Sequence, residues 1–113
     1  MILSTKKGVY KTPCSCGEAY IGETGRSITT RLKENSAYIW HEIIKNSAIA
    51  EHSHNTKHHI YLGNSKVLTI VPNYYKRIIH EAIEIEKCMR NFNRDDGLRL
   101  KEDWKLIIKK LIR

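Results

Sequence analysis

Two short apolar runs near the start of the chain predict a β-hairpin. The runs and the turn sequence between them are Gly8-Val9-Tyr10, Tyr20-Ile21-Gly22 and Pro13-Cys14-Ser15-Cys16-Gly17. Side chains alternate between the two faces of a strand, and directly opposed residues share a face. Pairing Tyr10 with Tyr20 therefore puts Val9 and Ile21 together on a core face. The same pairing predicts two tyrosine hydroxyls side by side on a face open to a ligand.

Apolar residues spaced by four and seven positions predict a long helix after the hairpin. These positions, which share one helical face, are Ile28, Leu32, Ile39 and Ile43. Ser27 is a favourable N-cap residue. We therefore expect a helix from about Ser27 to Ile44, and Asn35-Ser36 is the point at which it could break.

Shorter segments follow this helix. Ser47 could cap a short helix from Ala48 to His52, and a polar loop rich in histidine runs from His54 to His59. The β-branched segment from Lys66 to Val71 predicts a third strand, which ends at Pro72-Asn73.

Two more helices are predicted in the second half of the chain. The first runs from about Tyr74 to Arg90, and its broad apolar stripe consists of Tyr75, Ile78, Ile79, Ala82, Ile83, Ile85 and Met89. A turn-rich loop from Asn91 to Gly97 precedes an amphipathic helix that begins near Leu100 and contains Trp104. These elements predict an α/β (α+β) fold in which helices flank a small three-stranded, mainly antiparallel sheet.

Length and charge narrow the class of protein. The 113 residues show no repeat or internal linker, so we expect a single domain over residues 1–113. A formal net charge of +8 indicates a polyanionic partner, nucleic acid before membrane. No apolar run approaches the ~18 residues of a membrane span, and a signal-peptide hydrophobic region is absent from the amino-terminal residues. We therefore expect a soluble, intracellular protein without a membrane partner.

The chain has three cysteines, an odd number. In a reducing compartment this favours metal binding or burial over a disulfide framework. Cys88, which lies beside Met89 on a predicted helix, is expected to be a packed core thiol.

The hairpin and the first helix resemble the GIY-YIG nuclease superfamily. The triplets are present as Gly8-Val9-Tyr10 and Tyr20-Ile21-Gly22, the tyrosines are ten positions apart, and Arg31 follows eleven positions after the second. Three segments look most like the endonuclease of Penelope-like retroelements: Cys14-Ser15-Cys16-Gly17, Gly22-Glu23-Thr24-Gly25-Arg26-Ser27 and Ala50-Glu51-His52. The resemblance extends from about Gly8 to Trp104.

This resemblance implies a metal-dependent endonuclease that nicks target DNA and leaves a 3′ hydroxyl for a reverse transcriptase. The reverse transcriptase could be a domain of the same polypeptide, and the protein would act in the nucleus. Tyr10 would position or deprotonate the attacking water, and Tyr20 would hold the scissile phosphate or assist. Arg31 would bind the phosphate, which its planar fork of donors suits. Relatives commonly carry a histidine where this chain has Asn35, so activity could be reduced.

Hydrolysis of this kind would need Mg²⁺ or Mn²⁺, and Mg²⁺ prefers oxygen ligands. The helical pattern places Glu84 on the solvated side and leaves Glu81 and Glu86 as candidates. In the superfamily the metal glutamate lies about twelve residues before an asparagine. That count pairs Glu81 with Asn93, which would support the metal ligand or orient the phosphate. Asn91 is the alternative asparagine.

Cysteine and histidine residues suggest a second, structural metal site. Two thiolates and two imidazoles suit tetrahedral Zn²⁺, and the set is Cys14, Cys16, His52 and His58. Penelope-like endonucleases are marked by two cysteines between the triplets and two downstream histidines, so the resemblance implies the same set. The competing histidines are His54 and His59.

A second class of function fits the same pattern: a zinc-stabilised nucleic-acid-binding module that is catalytically weak or inactive. The basic charge and the zinc residues fit both classes equally. The presence of Glu81 together with both tyrosines and Arg31 favours the nuclease, because binding alone does not require them.

Overall fold

A computed structural model describes residues 6–93 of the chain. In chain order its elements are β1 (Gly8–Pro13), β2 (Ala19–Thr24), α1 (Ile28–Trp40), α2 (Ala48–Thr56), β3 (Lys66–Ile70) and α3 (Tyr74–Lys87). Within this part of the chain the predicted α+β fold is confirmed: an antiparallel three-stranded sheet with three helices. The helix expected from Leu100 onward lies outside the described residues, as does most of the loop before it.

The strand order is β2-β1-β3, with the hairpin forming two neighbouring strands. Tyr10 lies opposite Gly22, and Thr12 lies opposite Tyr20. The predicted pairing of the two tyrosines is therefore wrong by two residues. A shift of two leaves every side chain on its expected face, because the side-chain period of a strand is two.

The hairpin turn explains the shift. Cys14 N–H donates to Glu18 O at 3.0 Å, and Gly17 N–H donates to Cys14 O at 3.1 Å. Gly17 has a φ of +88°, which favours glycine. This closure centres the hairpin on Cys16, whereas the predicted pairing centres it on Ser15.

Helix α1 packs on the tyrosine face of the sheet. Tyr10 is buried with Ile28 and Leu32 of α1, and half-buried Tyr20 packs against them. A second buried cluster, which Tyr20 also contacts, contains Cys14, Ile49 and Ile60. Tyr20 therefore joins the two parts of the core.

The opposite face of the sheet carries Val9 and Ile21, both fully buried. Arg77 of α3 donates from Nε to Glu23 Oε1 at 2.8 Å, and Glu23 is on this face by strand alternation. The amino-terminal half of α3 therefore lies against the Val9 face, as the predicted core requires.

Both serine caps expected from the sequence are present. Ser27 Oγ accepts from Thr30 N–H at 3.0 Å, and Ser47 Oγ accepts from Ala50 N–H at 3.1 Å. Helix α1 runs without a break through Asn35, a buried residue whose amide is hydrogen-bonded, and it ends at Trp40 rather than Ile44.

Helix α2 is longer than predicted. It continues to Thr56, so His54 lies on the helix and not in a loop. The helix ends where Lys57 takes a left-handed conformation with φ of +61°.

Helix α3 begins at Tyr74, as predicted, but ends at Lys87 rather than Arg90. The Asn91 amide donates to the carbonyls of Ile85 (3.3 Å) and Cys88 (2.8 Å) and closes the helix there.

The broad buried stripe predicted for α3 is only partly correct. Ala82 is buried, but the exposed fractions of Tyr75, Ile79 and Met89 are 71%, 46% and 92%. Cys88 is half-buried, so the expected core thiol is wrong. The buried residues of α3 are Arg77 and Ala82, so a charged side chain outside the predicted stripe takes one of the buried positions.

Gly22 is required by the packing of both tyrosines. A Cβ at this position would lie 2.5 Å from Tyr10 Oη and 2.7 Å from Tyr20 Cε2. We expect Gly22→Ala to displace the tyrosine rings and to reduce the free energy of unfolding by about 1–3 kcal/mol, as overpacking does. Urea denaturation measures this loss. Gly63→Ala is the matched control, because no atom lies within 4 Å of its Cβ; equal losses in the two variants would contradict the packing argument.

Candidate functional site

The two tyrosines of the predicted site lie together. Their ring centroids are 6.3 Å apart, with an angle of 50° between the rings. Tyr10 is fully buried and Tyr20 is half-buried. The shared face is therefore as predicted, but the expectation that both hydroxyls are open to a ligand is wrong for Tyr10, because α1 covers it.

Helix α1 brings polar groups to the hydroxyl of Tyr10. Asn35 Nδ2 donates to Tyr10 Oη at 3.4 Å, and Asn35 Oδ1 accepts from Ser47 Oγ at 3.0 Å. Arg31 is one helical turn earlier and half-buried, with Nη1 3.4 Å from Glu34 Oε1. We call Tyr10, Tyr20, Arg31 and Asn35 the tyrosine site. At the position where the resemblance leads one to expect a histidine, the chain has a neutral amide that binds the phenol.

The electrostatics of the tyrosine site keep Tyr10 neutral. Burial raises the pKa of Tyr10 far above its usual value, and the neighbouring Tyr20 adds to this effect. The charge of Arg31 and the hydrogen bond from Asn35 lower the pKa but do not compensate. In this arrangement Tyr10 is a neutral phenol at neutral pH, and both its burial and its raised pKa disfavour the predicted role as a base.

This raised pKa predicts alkaline destabilisation. Above pH ~10 a phenol ionises in the unfolded chain but not in the folded one, so stability that is complete below pH 10 is lost as pH rises. Relative to Tyr10→Phe, which cannot ionise at this position, the wild-type protein should lose about 1.4 kcal/mol between pH 9 and pH 11. Urea denaturation at each pH measures the difference. If the free energies of unfolding of the wild-type protein and of Tyr10→Phe change equally with pH, the pKa of Tyr10 is not raised by burial.

A second group of side chains forms a candidate metal centre. One ligand atom from each of Cys14, Cys16, His52 and His58 can be chosen so that all lie within 4.8 Å of one another. The His52 Nε2 atom lies 3.5 Å from Cys16 Sγ and 3.2 Å from His58 Nδ1. This set, which we call the Cys/His cluster, could hold a metal ion, and two sulfur and two imidazole ligands match the preference of Zn²⁺.

The competing histidines lie elsewhere. His54 Nδ1 is 3.9 Å from Glu42 Oε1, and the His59 ring makes an edge contact with Tyr61. The choice of His52 and His58 made from the sequence is therefore the one that the geometry supports.

Local structure explains how the Cys/His cluster forms. The hairpin turn presents both cysteines, α2 presents His52, and the left-handed residue Lys57 turns the chain so that His58 comes back toward the helix. Burial, together with the neighbouring His58, lowers the pKa of His52. A neutral imidazole is the form that binds a metal.

Phe92 connects the Cys/His cluster to the tyrosine site, and it was not identified from the sequence. Its ring stacks on His52 with centroids 4.1 Å apart and an angle of 12°, and its centroid is 5.9 Å from that of Tyr20. Phe92 is placed by its backbone, since its N–H donates to Ala19 O at 3.0 Å. A single aromatic residue in a polar loop has no periodicity that would predict this contact.

The side chain of Asn93 also binds the outer edge of β2, two residues along the strand from the bond that Phe92 makes to Ala19. Its Oδ1 accepts from Ile21 N–H at 2.9 Å, and its Nδ2 donates to Ile21 O at 2.5 Å. Both polar atoms of the amide therefore bind the backbone of β2, which gives Asn93 a structural role beside Tyr20. The alternative, Asn91, closes α3.

The candidate metal glutamate lies on α3. Glu81 is half-buried, one helical turn after Arg77 and next to buried Ala82. Glu84 was expected to be solvated, but its side chain is only 21% exposed and pairs with Lys87 at 3.2 Å. Glu86, the other candidate from periodicity, is also half-buried.

Arg77 is a buried residue that the sequence reasoning missed. Besides Glu23, its guanidinium binds Pro72 O at 3.0 Å. A Cβ at Gly25 would lie 2.9 Å from Arg77 Nη2, so the glycine leaves room for the guanidinium. The presence of Glu23 and Gly25 in the Gly22–Ser27 segment is thus explained by the ion pair between Arg77 and Glu23, which fixes α3 on the sheet. The sequence feature that could have identified Arg77 is its position among the apolar residues of the predicted helical stripe.

Comparison with family models, with curated proteins and with solved structures finds no match to this chain. Among the helices described within residues 6–93, none is both long enough and apolar enough to span a membrane. The assignment of function therefore depends on the chemistry of the two clusters.

Proposed function

We propose that this protein is a metal-dependent DNA endonuclease of the GIY-YIG type that hydrolyses phosphodiester bonds. The observation that carries the proposal is the tyrosine site: two tyrosines share one face of the sheet, and the charge of Arg31 acts on the Tyr10 phenol. The net charge of +8 supports a polyanionic substrate. By resemblance the cut is a nick for retroelement integration, with a reverse transcriptase as partner.

In this proposal the residues divide the work of hydrolysis. Arg31 binds a phosphate oxygen and offsets the charge that develops there. Tyr20, the more accessible phenol, holds the scissile phosphate, and the buried Tyr10 fixes the orientation of Tyr20 and of Arg31. Asn35 holds the Tyr10 hydroxyl in place through its own bond to Ser47.

Two metal ions have separate roles in the proposal. Zn²⁺ would bind the Cys/His cluster and tie the hairpin turn to α2. Mg²⁺ or Mn²⁺ would bind Glu81, whose single carboxylate suits an ion that keeps several waters, and would supply charge neutralisation at the phosphate.

Incubation with supercoiled plasmid tests the proposal. The purified protein is expected to convert supercoiled plasmid to nicked circles with Mg²⁺ or Mn²⁺ and not with EDTA. Arg31→Lys keeps the charge but loses the two-pronged geometry, so nicking should fall while the protein remains folded. A wild-type preparation that binds DNA but leaves the plasmid intact under all these conditions would contradict the endonuclease.

The second candidate function is a zinc-stabilised nucleic-acid-binding module with little or no catalysis. Two observations favour this function. Tyr10 is fully buried, and the group that Asn35 directs at the Tyr10 hydroxyl is a hydrogen-bond donor, which cannot take a proton from the phenol. DNA binding without nicking, measured in the presence of Mg²⁺ or Mn²⁺, would identify this function.

A further inference from the structure

A cleft on the other side of the sheet gathers positive charge. It has a volume of about 690 Å³ and lies between the carboxyl end of α3 and the ends of β1 and β3 near the hairpin turn. Its charged lining residues are Lys11, Lys66, Lys87, Arg90 and Glu18. We call this the lysine cleft. Lys11 neighbours Tyr10 in β1, so strand alternation puts its side chain on the face away from the tyrosine site.

Two of these lysines face each other directly. Lys11 and Lys66 are opposed in the pairing of β1 with β3. Directly opposed like charges destabilise a sheet. Within residues 6–93 neither ammonium group forms an ion pair with a carboxylate, although Lys11 is half-buried.

The other charges of the lysine cleft are held in place. Arg90 Nη2 donates to Cys16 O at 3.2 Å, which fixes its guanidinium beside the hairpin turn. Lys87 is paired with Glu84 at 3.2 Å. The Asn91 amide covers the last carbonyls of α3, which would otherwise repel an anion. Four cations thus surround one cleft that contains a single carboxylate, Glu18.

We propose that the lysine cleft binds the phosphate backbone of a nucleic acid, at a second site separate from the tyrosine site. A phosphate bound between Lys11 and Lys66 would reduce the repulsion between the two ammonium groups. A carboxylate on a neighbouring strand would have the same effect. The site would carry affinity and not cleavage, because neither a residue of the tyrosine site nor Glu81 lines it. The proposal depends on the proposed function only for the choice of a nucleic acid as ligand.

The test is the affinity for a double-stranded DNA oligonucleotide as a function of salt, measured by fluorescence anisotropy without added Mg²⁺ or Mn²⁺ and without a chelator. For Lys11→Gln/Lys66→Gln we expect affinity to fall about tenfold at 0.1 M salt. The log–log salt slope should decrease by about 2, since each lost phosphate contact removes ~0.9. The matched control is Lys33→Gln/Lys76→Gln, which makes the same charge change at two exposed positions outside the cleft. Its slope should change by less than half as much.

A second variant separates binding from folding. Lys66→Glu replaces repulsion across the strands with attraction, so its melting temperature should rise by about 2–5 °C while its DNA affinity falls. If the cleft variants and the control pair have equal slopes while the wild-type protein binds and nicks DNA, the lysine cleft is wrong and the proposed function stands. If the wild-type protein binds DNA through the cleft but does not nick plasmid with Mg²⁺ or Mn²⁺, the lysine cleft stands and the proposed endonuclease is wrong. If it binds no DNA, both fail.

Discussion

Removal of metal from the Cys/His cluster is expected to lower the melting temperature by about 15 °C. The four side chains come from the hairpin turn and from the α2 region, so a bound ion closes a long loop in a small domain. Free ion at ~1,000 times its dissociation constant stabilises the folded state by about 4 kcal/mol, and each kcal/mol corresponds to about 4 °C in a domain of this size. Elemental analysis and thermal melts with and without a chelator measure both quantities.

Two adjacent histidines provide the matched pair for this prediction. His58→Ala should lose most of the bound zinc and melt like the chelated protein, because His58 belongs to the Cys/His cluster. His59→Ala should keep the zinc and melt within about 2 °C of wild type, since His59 is exposed and contacts only the edge of Tyr61 among the described rings. Equal zinc content in the two variants would assign the metal to other residues.

Replacing Glu81 with alanine is expected to reduce plasmid nicking by at least about 100-fold, because a metal ion contributes several kcal/mol to stabilisation of charge in the transition state. DNA affinity should change little, since it depends on many lysines and arginines. Nicking and anisotropy measured on the same preparations give both values.

Glu84→Ala is the control on the same helix. It removes a carboxylate that is paired with Lys87 and is not the proposed metal ligand, so it should nick within about threefold of the wild-type rate. Wild-type nicking by Glu81→Ala, or loss of nicking by a folded Glu84→Ala, would show that the wrong glutamate has been chosen.

Local patterns predicted the caps, the third strand and the faces of the sheet. Ser27 and Ser47 were identified because an N-cap depends on one side chain and a backbone N–H three residues away. The faces of Tyr10 and Tyr20 survived a register error, because only the parity of the pairing determines them. The Cys/His cluster was identified because two thiolates and two imidazoles suit Zn²⁺ and because the resemblance implies the same set.

Contacts between distant residues were not predictable in the same way. The ion pair of Arg77 with Glu23 joins residues 54 positions apart, and nothing in the period of α3 identifies the partner. Phe92 reaches His52 only because the chain returns along β2 after α3. The burial of Tyr10 also depends on how closely α1 packs on the sheet, which a hairpin pattern alone does not determine.

Asn93 affects which edge of the sheet can pair with a further strand. A primary amide carries the donor and the acceptor of one peptide unit, so its two bonds to Ile21 complete a ladder that the backbone of Arg90 and Phe92 begins at Ala19. The outer edge of β2 is thereby occupied as if by a fourth strand. Among the described residues no further strand pairs with the outer edge of β3, and its residues Leu68 and Ile70 are about two-fifths exposed. Of the two sheet edges formed by residues 6–93, the β3 edge is therefore the one to which an extended peptide, or a strand from another copy of the chain, could add.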